Sequence, residues 1–436
     1  MKRTQQAYIS GPLLLILAVA WIIYSPGLTG TFLFDDFANI TALGKYGPIN
    51  NLENLRLYLT GGIAGPSGRP IALASFLIDA QNWPADPRPF LRTNILIHLI
   101  NGGLLYLLLL LLLKQHYKTA PPGRTTTFVA ATATAMWLWN PFLVSSTLYI
   151  VQRMTLLSGT FVLAGLAGYV YGRSLLDNHP RKAYWWMSLS LGAGTVLATF
   201  SKENGVLLPL LAVCIEYTVF SKQNFSKQPH ALWKTIFLIG PALVPFVYVA
   251  YKFPHILSSY SRREFSFEER LFTEARILFD YLYNLLIPHA HTTGLFHDSF
   301  QVSASPLNPP TTALAISGIF LLIFIALRYR QRRPLLALAI LFFFAGHVLE
   351  STVYPLELYF EHRNYVPALL LFLPIADWLV NPPRNKIYGR VFLATILIVF
   401  CAISYQRTSL WGQPTTLLLL WAQENPDSTR AQTVAT

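Results

Sequence analysis

Leu104-Leu105-Tyr106-Leu107-Leu108-Leu109-Leu110-Leu111-Leu112-Leu113 carries no charge and no helix breaker, and Lys114 ends it. With the apolar positions leading into it from residue 90, the run approaches the roughly 20 residues a helix needs to cross a bilayer. Leu335–Phe344 is a second run of the same kind. Reading outward from these two, apolar runs and their charged breaks predict eleven spans. They lie near residues 10–25, 90–113, 125–140, 153–172, 183–200, 204–220, 235–251, 311–327, 334–349, 365–380 and 391–405. The composition agrees: of 436 residues 53% are hydrophobic and 12% charged, about half the charged share of a soluble domain. The expected fold is all-α, a polytopic membrane helix bundle. Cys214 and Cys401 both fall in apolar runs, so no structural disulfide is expected.

The net charge of +13 invites a nucleic-acid reading, but the distribution of the cations argues against it. With the N-terminus in the cytoplasm, the inner loops hold Lys2 and Arg3; Lys114, Lys118 and Arg124; Arg173, Arg181 and Lys182; Lys222, Lys227 and Lys234; Arg328, Arg330, Arg332 and Arg333; Arg384, Lys386 and Arg390. More than half of the basic residues thus crowd short loops on one side, as the positive-inside rule requires. Nearly all the acids fall on the other side. The expected surroundings are membrane lipids, with no nucleic acid. Lys2, Arg3 and Ala18-Val19-Ala20 imitate a cleaved signal peptide, yet ten further spans and the helix's orienting role favour a retained anchor.

Two outer loops are long, about 29–89 and 252–310, and both are expected to carry amphipathic helices. Glu53–Thr60 and Pro70–Gln81 mix apolar and polar residues in the manner of helices lying on a membrane surface. Glu268–Leu286 sets charges among apolar residues at helical spacing. Long loops with helices of their own usually act as lids or binding elements. The breaks at Asn140-Pro141 and Pro288 are expected to end helices. The transmembrane domain is placed at 1–405, with 406–436 as an outer tail.

Phe32-Leu33-Phe34-Asp35-Asp36 follows the first span and its break Ser25-Pro26-Gly27. Paired carboxylates at a membrane face are costly to hold there. One can act as a general base toward a hydroxyl while its neighbour orients it or shifts its pKa. A plain solvated loop pair is the competing reading. The same topology gathers Arg69, Arg153, Lys202, Glu203, Glu350, Glu357, Glu361, His362 and Arg363 at that outer face. Arginine and lysine clustered at this depth suit a lipid phosphate, which arginine grips with a two-pronged fork. Each can instead be an interfacial anchor or a structural ion pair, such as Lys202 with Glu203.

Phe34-Asp35-Asp36, Gly68-Arg69-Pro70, His98-Leu99-Ile100-Asn101, Tyr149-Ile150-Val151-Gln152-Arg153, Ser201-Lys202-Glu203 and Glu361-His362-Arg363-Asn364-Tyr365 occur in order across most of the chain. In these motifs the chain resembles the C-type membrane glycosyltransferases, especially protein O-mannosyltransferases and the tetratricopeptide-repeat-bearing transmembrane O-mannosyltransferases. The resemblance implies a multi-helix bundle whose first outer loop holds a catalytic acid. It implies a sugar donor carried on a polyprenyl phosphate, an inverting reaction and an acceptor hydroxyl on a protein or glycan. Carried over, it makes Asp35 the base, Asp36 its partner and Arg153 a ligand of the donor phosphate. Arg69, Lys202 and Arg363 follow as phosphate or structural partners, with Glu203, Glu361, His362 and His98 in support. No cofactor is expected; a divalent metal stays open, but no motif indicates one. Trp411, Trp421 and 425–430 look like the lead-in to a helical repeat, where the given sequence stops.

Other readings compete. A transporter or flippase of lipid-linked sugars shares the outer cations, but such proteins more often place charge at the midplane. A polysaccharide polymerase or ligase uses the same donors. His289, His291, His297 and Asp298 have metal-binding side chains in what reads as a mobile loop. His347 and Glu350 share a helix face and are expected to form a buried pair. His98 and Asn101 are expected to bond to neighbouring helices. A bacterial inner membrane, with the site facing the periplasm, is the expected setting.

Overall fold

The computed structural model describes residues 2–45, 47–117, 123–221, 228–290, 294–296, 300–381 and 386–435. Its principal helices are α1 (Lys2–Tyr24), α2 (Asp35–Ile40), α3 (Pro70–Phe76), α4 (Pro87–Tyr117), α5 (Arg124–Leu138), α6 (Arg153–Ser174) and α7 (Pro180–Ser201). They continue with α8 (Leu208–Thr218), α9 (Gly240–Ser258), α10 (Phe267–Leu286), α11 (Thr311–Tyr329), α12 (Pro334–His347), α13 (Lys386–Trp411) and α14 (Pro414–Glu424). The described residues contain no strand.

Among the described residues, six helical segments are long and apolar enough to cross a membrane: Ser10–Thr29, Pro87–Tyr117, Ile150–Ser174, His230–Arg262, Thr311–Tyr329 and Tyr388–Trp411. A seventh is counted if α5 and Pro141–Leu148, bent by 53° at Asn140-Pro141, are one broken span. The protein is therefore a multi-pass membrane protein. The other sequence-predicted spans correspond to α7, α8, α12 and Leu373–Val380, which fall short of that length or apolarity. Lys118, Lys222, Lys227 and Arg384 lie outside the described residues.

The centre of the bundle is polar in a controlled way. Asn94, His98 and Asn101 recur at four- and three-residue spacing on one face of α4, all fully buried. Asn94 donates to the Thr147 and Ile150 carbonyls at 3.2 Å. His98 joins the Tyr365 hydroxyl at 2.8 Å and the Leu138 carbonyl at 3.1 Å. Asn101 donates to the Leu156 carbonyl at 2.9 Å. Hydrocarbon offers no alternative partner, so such bonds hold helices in register. Beside α4, α6 packs along α7 through small residues. A Cβ at Gly168 would stand 2.2 Å from Ser190 Oγ, and one at Gly165 3.1 Å from the Ser190 carbonyl.

The first and last long spans lie together. Thr408 donates its hydroxyl to the Ile23 carbonyl, Thr29 to the Gly412 carbonyl at 2.7 Å, and Ser404 to the Trp139 carbonyl at 2.6 Å. By contrast α9, α11 and α13 bury few of their apolar side chains and expose Val247, Phe320 and Ile398 among others. These faces suit lipid.

The segment expected to be amphipathic becomes α10, opened by a capping box in which Ser266 and Glu269 satisfy each other's backbone N–H. Its inward face includes two charges, Arg270 and Glu274, paired at 2.7 Å. The expected surface helices of the first long loop are Leu52–Thr60 and α3.

Candidate functional site

The chain leaves α1 through a 3-10 turn, Ser25–Thr29, and reaches the acidic motif with Phe32 packed on the rings of Trp83 and Phe90. Phe34 takes a positive φ of 37°, a conformation costing of order 1–3 kcal/mol for a side-chain-bearing residue. The kink aims the next two carboxylates apart. Asp36 is fully buried: its Oδ2 accepts from the Leu33 N–H at 2.8 Å and its Oδ1 from the Val151 N–H at 2.6 Å. Burial pushes its carboxyl up to about 8, outweighing the lowering by those N–H donors. Asp35 is exposed at the start of α2 and donates its own N–H to the Tyr149 hydroxyl at 2.8 Å. Of the two, only Asp35 presents its carboxylate to solvent.

Val151 opens a short stretch, residues 151–155, that reaches Asp36, Arg69 and Lys202. Gln152 accepts from the Thr155 hydroxyl at 2.7 Å, and Thr155 in turn accepts from Lys202 Nζ at 3.2 Å. The Met154 sulfur accepts from Arg69 Nη1 at 3.1 Å. Between them, Arg153 is fully buried and bonded on every side. It donates to Asn94 Oδ1 at 2.7 Å and to the Ser75 and Phe90 carbonyls at 2.9 Å, and it pairs with Asp79 at 2.6 Å. This corrects the expectation that Arg153 holds a donor phosphate. Its fork is spent joining α3, α4 and α6, and nothing in the sequence marked Asp79 as its partner.

The remaining cations form a second cluster. Arg69, at φ 53°, pairs with Glu203 at 2.8 Å, and Glu203 also accepts from the Ser67 hydroxyl at 2.7 Å. Gly65 allows the close approach: at φ 66°, a Cβ there would stand 2.2 Å from Glu203 Oε1. Lys202 pairs with Glu350 at 2.8 Å. The expected Lys202–Glu203 pair is thus replaced by two crossed pairs, and Glu350 turns to Lys202 rather than to His347. His347 instead meets the Phe343 carbonyl at 2.9 Å. Arg363 donates to the Leu358 carbonyl at 2.7 Å and to that of Glu357, and pairs with Glu274 at 3.6 Å.

All three cations act electrostatically on His362. His362 is half-buried, its ring stacked on Phe360 at 4.9 Å and its carbonyl accepting from the Tyr365 N–H at 3.3 Å. Burial, then Lys202, Arg363 and Arg69 in that order, hold its imidazole well below its usual range, so it is neutral at pH 7. Burial would raise the Glu203 carboxyl, but Arg69 and Ser67 more than offset it and keep it ionised. Glu350 is held low in the same way by Lys202 and Arg363. The result is a neutral imidazole in the field of three cations, each of which is also paired with a carboxylate.

Glu361 belongs elsewhere: it pairs with Arg407 at 2.9 Å and ties the site to α13. His98 sits within the bundle, in the α4 polar stripe. Of the loop residues with metal-binding side chains, His291, His297 and Asp298 lie outside the described residues, while His289 meets the Tyr283 hydroxyl at 3.0 Å. Among the described residues, no three His, Cys, Asp or Glu side chains are grouped as metal ligands. Sequence reasoning missed Thr155, whose neutral side chain carries no motif signal, and Ser67, whose role needs the loop folded onto Glu203; Gln152 stood in a quoted motif but was given no role. Comparison with protein-family models, curated proteins and solved structures returned no match.

Proposed function

We propose that the chain is an integral-membrane glycosyltransferase taking sugar from a polyprenyl-phosphate donor. The observation that carries this reading is the stretch 149–155, which bonds the Asp35 backbone through Tyr149, Asp36 through Val151, and Arg69 and Lys202 through Met154 and Thr155. In the proposed reaction the acceptor hydroxyl attacks the anomeric carbon and Asp35 takes its proton. The bond from that carbon to the phosphate oxygen breaks, with inversion. Arg69, Lys202 and Arg363 stabilise the charge on the departing lipid phosphate. His362, neutral, can donate a hydrogen bond without adding a fourth cation. The motif resemblance and the lipid-facing helices support the same reading. In its finer form, shorter apolar helices bring the count to eleven spans, with the N-terminus inside, the tail outside and the site on the periplasmic side of a bacterial inner membrane.

The test is transfer by the purified protein, supplied with a panel of polyprenyl-phosphate sugars and hydroxyl acceptors. Transfer that depends on Asp35 is the expected result. Movement of the lipid-linked sugar across a vesicle membrane without transfer would replace the reading with a translocator. Cysteine labelling near residue 430 that required access from the cytoplasmic side would overturn the eleven-span topology.

A further inference from the structure

A cavity of about 610 Å³ opens beside the site, walled by residues 262–265, 357–360 and 427–430 together with Leu295, Phe300 and Val302. Its volume falls within the 300–1,000 Å³ range of small-molecule sites. None of its lining residues takes part in the chemistry above, yet it touches both halves of that site. Next to Leu295, the Phe296 ring packs edge-on against Phe34 at 4.8 Å, one residue from Asp35. On the other wall Phe360 stacks on His362, and Arg363 holds the Glu357 and Leu358 carbonyls from behind.

The lining chemistry is specific. Arg262, Arg263 and Arg430 are matched by Glu264, Glu357 and Asp427, so the formal charges balance. Glu357 is shared between Arg263 at 3.1 Å and Arg430 at 3.6 Å. A charge-balanced wall gives no net attraction to a polyanion. The same planar groups, carboxylate and guanidinium, can each bond two hydroxyls of a neutral polyol. Aromatic surface is present as well: Phe300 lies against Tyr359 at 5.9 Å. A peptide is served less well. The described residues offer no strand edge for its main chain, and the walls are too polar for the apolar face of a helix.

We propose that this cavity binds a neutral, polyhydroxylated carbohydrate and that the bound glycan is the acceptor of the transfer. The first half stands on the cavity alone; the second rests on the transferase reading. The probes are neutral hexose and N-acetylhexosamine oligosaccharides, their uronic-acid counterparts and Ser/Thr peptides. Each is offered to the purified full chain in nanodiscs and followed by saturation-transfer NMR. Arg262, Glu264 and Asp427 are exposed, so Arg262→Ala, Glu264→Ala and Asp427→Ala are expected to fold, with thermal stability as the check.

The expected result is binding of a neutral oligosaccharide, weakened about tenfold or more by at least two of the three variants and unchanged by Asp35→Asn. Preference for the acidic sugars or for peptides, no binding of any neutral oligosaccharide, or binding indifferent to all three variants would overturn the proposal. Binding that depends on the cavity, with no transfer to the bound sugar but transfer to another hydroxyl acceptor, would overturn the acceptor role; no transfer to any acceptor under any donor would remove the transferase reading.

Discussion

Asp35 and Asp36 are neighbours in sequence with opposite surroundings, and their variants should fail in different ways. Asp35→Asn is expected to abolish transfer while leaving donor binding and thermal stability near wild type, because an exposed amide cannot take the proton yet disturbs no packing. Asp36→Asn is expected to cost about 1–3 kcal/mol of stability, because the amide NH2 must face a backbone N–H that now meets an acceptor. Denaturant unfolding in detergent separates the two. Asp36 also gives a pH signature. Its folded value of about 8 lies above the 3.8 of an exposed aspartate, so between these values the folded chain holds a proton the unfolded chain has released. Its contribution to stability is therefore full below about pH 4 and declines as pH rises toward 8. A stability–pH slope of that sign in wild type, absent in Asp36→Asn, is the expected measurement. The sequence showed the pair but divided the roles evenly between them. What separates them is the kink at Phe34 and a backbone N–H 115 residues downstream, and neither leaves a local trace.

At the scale of elements, the start of α6 organises the site and Arg153 anchors that start. Arg153→Met is expected to cost about 3–5 kcal/mol, since Asp79 is left as a buried charge without its partner. The double variant Arg153→Met with Asp79→Leu should regain much of that loss. Donor affinity in the refolded double variant, measured by titration, should match wild type. A second element-level test is Gly65→Ala. The left-handed backbone costs alanine about 1–2 kcal/mol, and the new methyl also displaces the Glu203 carboxylate. Transfer should slow more than stability falls, because Arg69 then loses its fixed direction. Local pattern made α10 readable, since its apolar residues recur at helical spacing. The same pattern could not tell that Arg270 and Glu274 turn inward. That follows from the Glu350, Thr352 and Leu356 carbonyls waiting for the Arg270 fork.

Across the whole molecule, hydropathy exposed the membrane character because lipid-facing helices must be apolar on nearly every side, as in α9, α11 and α13. It blurred the count where helices are sheltered by others, since α8 or Leu373–Val380 needs little length to pack against its neighbours. Chain closure has a consequence for biosynthesis. Ile23 and Thr29 wait for Thr408 and Gly412, more than 380 residues later, before α1 has its partner. More than 380 residues must therefore be synthesised before α1 meets this partner, and until then the acidic loop behind it lacks that support. Chains arrested before residue 404 should show faster turnover by membrane quality-control proteases in pulse–chase than full-length chains. Supplying residues 386–436 in trans should slow that turnover by giving α1 the neighbour it lacks.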